Sequence, residues 1–144
     1  MDYKLDISKV VMANINDVYD ACTNLEKLKK WFCPEGMSIP EMSLDLNIGG
    51  RYKVTMQDKD GKNHTAKGEF KEIEKNKKLV MTWKWDGSEM GDEKTLLTIE
   101  LELVSDNETK IILTHEHFAS KESSNEHKKG WMSVLNNLAN YLEK

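Results

Sequence analysis

The sequence feature that most constrains this fold is a single amphipathic helix near the end of the chain, predicted over residues 123–142. Its apolar residues recur at steps of three and four positions, which places them on one stripe of a helix. They are Trp131, Val134, Leu135, Leu138, Tyr141 and Leu142. Ser123 and Glu126 have the spacing of a capping box, which predicts Ser123 as the N-cap. A helix with so wide an apolar stripe must lie on another apolar surface.

Most of the chain before this helix alternates between apolar and polar residues, as β-strands do. The predicted strands cover residues 3–14, 38–45, 51–57, 63–73, 79–85, 95–103 and 109–116. Two short helices come early: the first is capped by Asn16 and runs to Thr23, and the second is capped by Asn24 and covers residues 25–31. The predicted fold class is therefore α+β. A curved antiparallel sheet of six or seven strands surrounds a long C-terminal helix, and two short helices follow the first strand.

Length, charge and composition set limits on the class of protein. The chain has 144 residues and a net charge of −4, which predicts one domain over residues 1–144. Phosphate backbones require clustered Lys and Arg, and without such a cluster no nucleic-acid partner is expected. No run approaches the roughly 20 apolar residues of a membrane span, and the first residues predict no secretory signal. We therefore expect a cytoplasmic protein with no membrane partner, in which Cys22 and Cys33 are buried free thiols.

Several short motifs occur in a characteristic order along nearly the whole chain. They are Trp31, Asp45 with Gly49, Gly50 and Arg51, Gly68, residues 79–83, residues 113–115 before Phe118, and Gly130 with Trp131. In this order the chain resembles the START-like helix-grip (SRPBCC) superfamily, and within it the family named after the activator of the heat-shock-protein-90 ATPase. The resemblance implies a helix-grip fold with a cavity between the sheet and the last helix. It does not imply one activity, since the family includes ligand carriers, co-chaperone domains and a few enzymes.

Nine residues are expected to wall such a cavity and to contact a ligand. They are Tyr52, Phe70, Met81, Trp83, Trp85, His115, His117, Trp131 and Leu135. An alternative stays open for the large aromatic residues, which more often belong to an ordinary core.

The two histidines of this set are two residues apart on a predicted strand, so both are expected on its apolar face, where they would orient a polar group of the ligand. The alternative is that the strand end emerges into solvent and that His115 is satisfied by a neighbouring backbone group. Two histidines at this spacing can also share a zinc ion. No motif supplies a third ligand, and neither a metal nor a cofactor is predicted.

Three functions fit these observations. The sequence favours a module that binds a small hydrophobic or amphipathic molecule without catalysis. The second function is a co-chaperone-like interaction domain of the stress response, which would regulate a heat-shock ATPase through its exposed face or through the loop of residues 86–93. From its 144 residues, the chain is not expected to hold the separate partner-binding domain of the co-chaperone itself. The third is a cavity-based hydrolase or cyclase, although no nucleophile and base are paired in the sequence. A homodimer is compatible with the family resemblance.

Overall fold

The computed structural model describes residues 3–87 and 93–143 and confirms the predicted α+β helix-grip architecture. The elements in chain order are β1 (Tyr3–Val11), α1 (Ile15–Thr23), α2 (Leu25–Trp31), β2 (Ser38–Leu44), β3 (Arg51–Gln57), β4 (Asn63–Glu74), β5 (Lys78–Trp85), β6 (Thr95–Ser105), β7 (Glu108–Phe118) and α3 (Lys121–Leu142).

The seven strands form one antiparallel sheet in the order β1-β7-β6-β5-β4-β3-β2. From β2 to β7, each strand pairs with the next along the chain, as the predicted hairpin turns require. The first strand instead pairs with the last, with Ile7 opposite Leu113. This pairing brings the beginning of the chain beside the strand that leads into α3.

Two of the three predicted helix caps are wrong by a few residues. The N-cap of α3 is Ser120, whose side chain accepts a hydrogen bond from the backbone N–H of Ser123. The N-cap of α1 is Asn14 and not Asn16. A cap requires extended backbone just before the first helical turn, and Ser120 has it, with φ −142° and ψ 156°. The predicted cap of α2, Asn24, is confirmed and accepts from two backbone N–H groups.

The long helix α3 lies on the buried face of the sheet and packs most closely against β1. Its buried side chains include the predicted residues Val134, Leu135 and Leu138. Hydrogen bonds also tie it to neighbouring segments: Asn137 Nδ2 donates to the Cys33 carbonyl at 2.7 Å. Although α3 has 22 residues, neither it nor another helix in the described part of the chain is long and apolar enough to cross a membrane.

The two cysteines are buried free thiols, which confirms the expectation from the sequence. Burial raises the pKa of Cys22 to about 12, because a thiolate would lose its hydration in the core. Burial also raises the pKa of Cys33. Both side chains therefore act as small apolar core residues and are poor nucleophiles at neutral pH.

Gly68 lies where the backbones of β4 and β5 approach too closely for a side chain. A Cβ atom at this position would lie 1.8 Å from the Thr82 carbonyl oxygen. That oxygen accepts a hydrogen bond from the Tyr52 hydroxyl, which lies on the buried face of the sheet. The close approach is thus possible because Gly68 has no side chain, and a buried hydrogen bond accompanies it. Thr82, which takes part in this contact, directly precedes Trp83.

We expect Gly68→Ala to lower the free energy of unfolding by about 1–3 kcal/mol, because one of the two strands must shift. Urea denaturation measures the change. Gly130→Ala in α3 is the matched control, since a Cβ there meets no atom within 4 Å. It should stabilise the helix by about 0.5–1 kcal/mol. Equal stability of Gly68→Ala and the unsubstituted protein would contradict the prediction.

Candidate functional site

A cavity of about 290 Å³ lies between the first half of α3 and the ends of three strands. The sheet and the turn after β3 contribute Met56, Asp58, His64, Trp83 and Trp85. The segment after α2 contributes Pro34 and Met37, and α3 contributes Glu126, His127, Gly130, Trp131 and Val134. The walls are mostly aromatic and aliphatic. The volume is close to the roughly 300 Å³ at which pockets for small organic ligands begin.

His115 fastens the helix to the sheet beside this cavity. The indole Nε1–H of Trp131 donates to His115 Nδ1 at 2.9 Å. His115 Nε2–H then donates to Thr95 Oγ1 at 2.6 Å, and that hydroxyl donates to the Trp83 carbonyl at 3.0 Å. Burial, with a smaller contribution from His127, holds the pKa of His115 well below its usual value. His115 is therefore neutral, and both of its nitrogens are engaged within the protein.

His127 makes the reciprocal connection from the helix side. The indole Nε1–H of Trp85 on β5 donates to His127 Nε2 at 2.9 Å. His127 Nδ1–H donates to the Ser123 carbonyl one turn earlier, at 2.8 Å. Burial lowers the pKa of His127 more than the Ser123 bond and the Glu93 charge raise it. The sheet and the helix thus each supply one indole donor and one neutral imidazole acceptor.

Asp58 and His64 form a polar pair on the cavity wall. Asp58 Oδ1 accepts from the backbone N–H groups of Asp60 and Lys62, both at 3.0 Å. Asp58 Oδ2 lies 3.0 Å from His64 Nε2. The bond from His64, with the two backbone bonds, lowers the pKa of Asp58. The carboxylate is thus ionised and accepts, so His64 Nε2–H is the donor, and Nδ1 has no partner among the described residues.

These groups limit the chemistry that the cavity can perform. None of its described lining residues is Ser, Thr, Cys or Lys, so a covalent intermediate would have to form on a carboxylate or an imidazole. His64, positioned by Asp58, could exchange a proton with a bound molecule. Within residues 3–87 and 93–143, no three His, Cys, Asp or Glu side chains are placed to hold a metal ion.

The structure brings three of the nine predicted site residues to the cavity: Trp83, Trp85 and Trp131. Three others line a separate space of only about 20 Å³ deeper in the core, namely Tyr52, Phe70 and Met81. Leu135 lines another space of about 10 Å³. These four side chains belong to a filled core under α1 and α2. His115 is completely buried behind Trp131 and does not line the cavity.

His117 is exposed, so the expectation that it shares the apolar face with His115 is wrong. Tyr3 pairs with Phe118 and Lys4 pairs with Glu116, which leaves His117 as the extra residue of a β-bulge. Its backbone has φ of 76°. The bulge reverses the alternation and returns Phe118 to the buried face. The two histidines therefore do not share a metal-binding position.

The cavity residues missed from the sequence are chiefly Asp58, His64, Glu126 and His127. Two of them carried a usable signal. His127 lies four positions before Trp131 on the same helical stripe, and His64 alternates with Ala66 on the inner face of β4. Asp58 and Glu126 carried none, because a turn carboxylate and a helix-surface carboxylate are normally solvated.

We expect acid to destabilise the fold between pH 7 and pH 5. Because both buried histidines have lowered pKa values, the unfolded chain binds more protons below the unperturbed histidine pKa of about 6.5. The stability that these two neutral histidines contribute to the fold is thus complete above that pH. It is lost as the pH falls below it, by at most about 1.4 kcal/mol per pH unit for each histidine.

Urea denaturation at pH 7, 6 and 5 measures this slope. In His115→Gln, the amide can replace both hydrogen bonds but cannot titrate. The loss of unfolding free energy per pH unit should therefore be smaller, by an amount that corresponds to at most one bound proton. An unchanged slope in that variant would contradict the assignment of His115 as a neutral buried group.

Comparison with known proteins identifies the family. The sequence profile of the family described as Activator of Hsp90 ATPase homolog 1-like protein matches residues 12–143. No protein with a curated description matches the chain. Similar solved structures include a protein from Nitrosomonas europaea, with 25% identity, a TM-score of 0.81, and coverage of 97% of this chain and 94% of that chain.

Another is an AHSA1 protein from Silicibacter pomeroyi, with 22% identity, a TM-score of 0.86 and coverage of 98% of each chain. A third, from Chromobacterium violaceum, has 24% identity, a TM-score of 0.81 and coverage of 99% of each chain. These likenesses agree with the helix-grip fold described above. Because the family profile spans most of the chain, this protein belongs to the Activator of Hsp90 ATPase homolog 1-like family.

Proposed function

We propose that this protein binds a small, largely apolar molecule in the cavity between α3 and the sheet. The observation that carries the proposal is a cavity of about 290 Å³ walled by Trp83, Trp85 and Trp131. The cavity is partly open to solvent, and a well-formed apolar pocket with a few polar groups on its wall is the usual site of small-molecule binding. An apolar space of this size at the mouth of the grip is therefore better explained by a ligand than by packing.

Gly130 supports this interpretation from the helix side. It lines the cavity, and a Cβ at this position would meet no atom within 4 Å. Glycine in a helix costs about 0.5–1 kcal/mol relative to alanine. At Gly130, the missing side chain leaves space beside Trp131. A larger side chain at this position would project into the cavity.

The walls also indicate the shape of the ligand. Aromatic walls favour a planar partner, which can stack or make edge-to-face contacts. The volume is suited to a molecule of about two fused rings more than to a long-chain lipid. Binding would draw mainly on buried apolar area, at about 25 cal/mol per Å² before ordering costs are subtracted. In this arrangement His115 does not contact the ligand, and it acts by positioning Trp131.

The co-chaperone interpretation has less support among the described residues. It depended in part on the loop of residues 86–93, of which residues 88–92 lie outside the described residues. The cavity, in contrast, is formed by described elements on both of its sides.

We expect Gly130→Leu to weaken binding of the uncharged fluorescent probe N-phenyl-1-naphthylamine by at least about tenfold, because the new side chain occupies the cavity. Gly130→Ala should have a smaller effect. A fluorescence titration measures each dissociation constant.

The matched control is Asn125→Leu, which places the same side chain on the exposed face of α3, away from the cavity. Circular dichroism confirms that each variant is folded. Probe binding that is unaltered in a folded Gly130→Leu protein would argue against the cavity as the site, as would an absence of binding to the unsubstituted protein.

A further inference from the structure

Most of the hydrogen-bond donors in the cavity wall are already used within the protein. Trp85 and Trp131 each donate their indole N–H to a histidine, and both nitrogens of His127 are engaged. The indole nitrogen of Trp83 is buried beneath the surrounding side chains, and it has no acceptor among the described residues. Only the Trp83 N–H is therefore unused among these donors, and it is not accessible from the cavity.

The polar groups that remain on the cavity wall are acceptors. The ionised Asp58 carboxylate uses three of its roughly four lone-pair positions, for Asp60, Lys62 and His64. His64 keeps Nδ1 for a further partner. In the neutral ring, this nitrogen is a hydrogen-bond acceptor. Glu126 adds a second carboxylate from α3, at the solvent-facing side of the cavity.

Positive charge is scarce at the same place. Among the described residues that line the cavity, none is Lys or Arg. The Glu126 carboxylate has Lys129 as a neighbour, with Oε1 3.7 Å from Nζ, but these side chains are 63% and 76% exposed. An ion pair so exposed is weak and leaves the carboxylate open to another cation.

We propose that the ligand carries a cationic hydrogen-bond donor, most simply a protonated amine, on its aromatic or apolar body. Carboxylates attract such a group, and a cation close to an indole face gains a further cation–π attraction. A carboxylate ligand would meet like charge and no available donor, so that burying it would leave its own charge uncompensated. This inference rests on the proposed function, since it names the ligand class of the same cavity.

Three naphthalene probes of matched size test this proposal: 2-(1-naphthyl)ethylammonium, 2-(1-naphthyl)ethanol and 1-naphthylacetate. Isothermal titration at pH 7.5 and low salt gives the dissociation constant of each probe with the full chain. We expect the ammonium probe to bind roughly tenfold more tightly than the alcohol. The carboxylate should bind more weakly than the alcohol.

Two substitutions locate the source of this preference. Glu126→Gln and Asp58→Asn each remove a charge and keep the shape of the side chain, and both should reduce the preference for the ammonium probe with little change for the alcohol. Glu122→Gln is the matched control, because it removes the same charge one turn earlier on α3, from an exposed residue that does not line the cavity. If Asp58→Asn disturbs the β3–β4 hairpin, Glu126→Gln alone still decides the result.

The outcomes separate the two proposals. If no probe binds, both the proposed function and this inference fail. If the alcohol or the carboxylate binds at least as tightly as the ammonium probe, the cavity binds ligands but the charge assignment is wrong. If Glu122→Gln lowers the ammonium preference as much as Glu126→Gln, the preference reflects the net charge of the protein, and the inference is also overturned.

Discussion

The position of α3 on the sheet depends on two indole N–H groups whose burial without acceptors would be costly. Trp131 on the helix donates to His115 on the sheet, and Trp85 on the sheet donates to His127 on the helix. A buried donor without a partner costs about 1–3 kcal/mol, so this reciprocal arrangement strongly favours one placement of the helix. It also requires both imidazoles to be neutral, because an imidazolium could not accept from an indole. Burial provides for this by lowering both pKa values.

The same placement explains where the cavity lies. The helix packs most closely on β1, at one edge of the sheet. Space then remains between the first half of α3 and the ends of β3, β4 and β5. The hydrogen-bond donors of the helix–sheet contact are consumed in making it. The groups left to face a ligand are therefore apolar rings and acceptors, which links the way the fold is held together to the kind of molecule the cavity would select.

Particular residues show how far prediction from the sequence could go. The alternation in β3 and β5 correctly placed Tyr52, Met81 and Trp83 on the buried face. It could not say that Tyr52 and Met81 would border a filled part of the core and Trp83 an open one. That difference depends on the volumes of side chains from α1, α2 and α3, which meet only in the folded protein. His117 was misplaced because a single extra residue in β7 reverses the alternation.

The sequence by itself determined the elements and the architecture, because periodicity, turn residues and one wide apolar helical stripe are local properties. It also determined which residues are apolar enough to be buried. Only the tertiary structure decided the site. Asp58 and His64 are joined by a hairpin, whereas His127 and Trp85 are 42 positions apart and are joined by a hydrogen bond across the helix–sheet contact. Such long-range contacts determine which polar groups are used within the protein and which remain for a ligand. No local sequence pattern predicts these contacts.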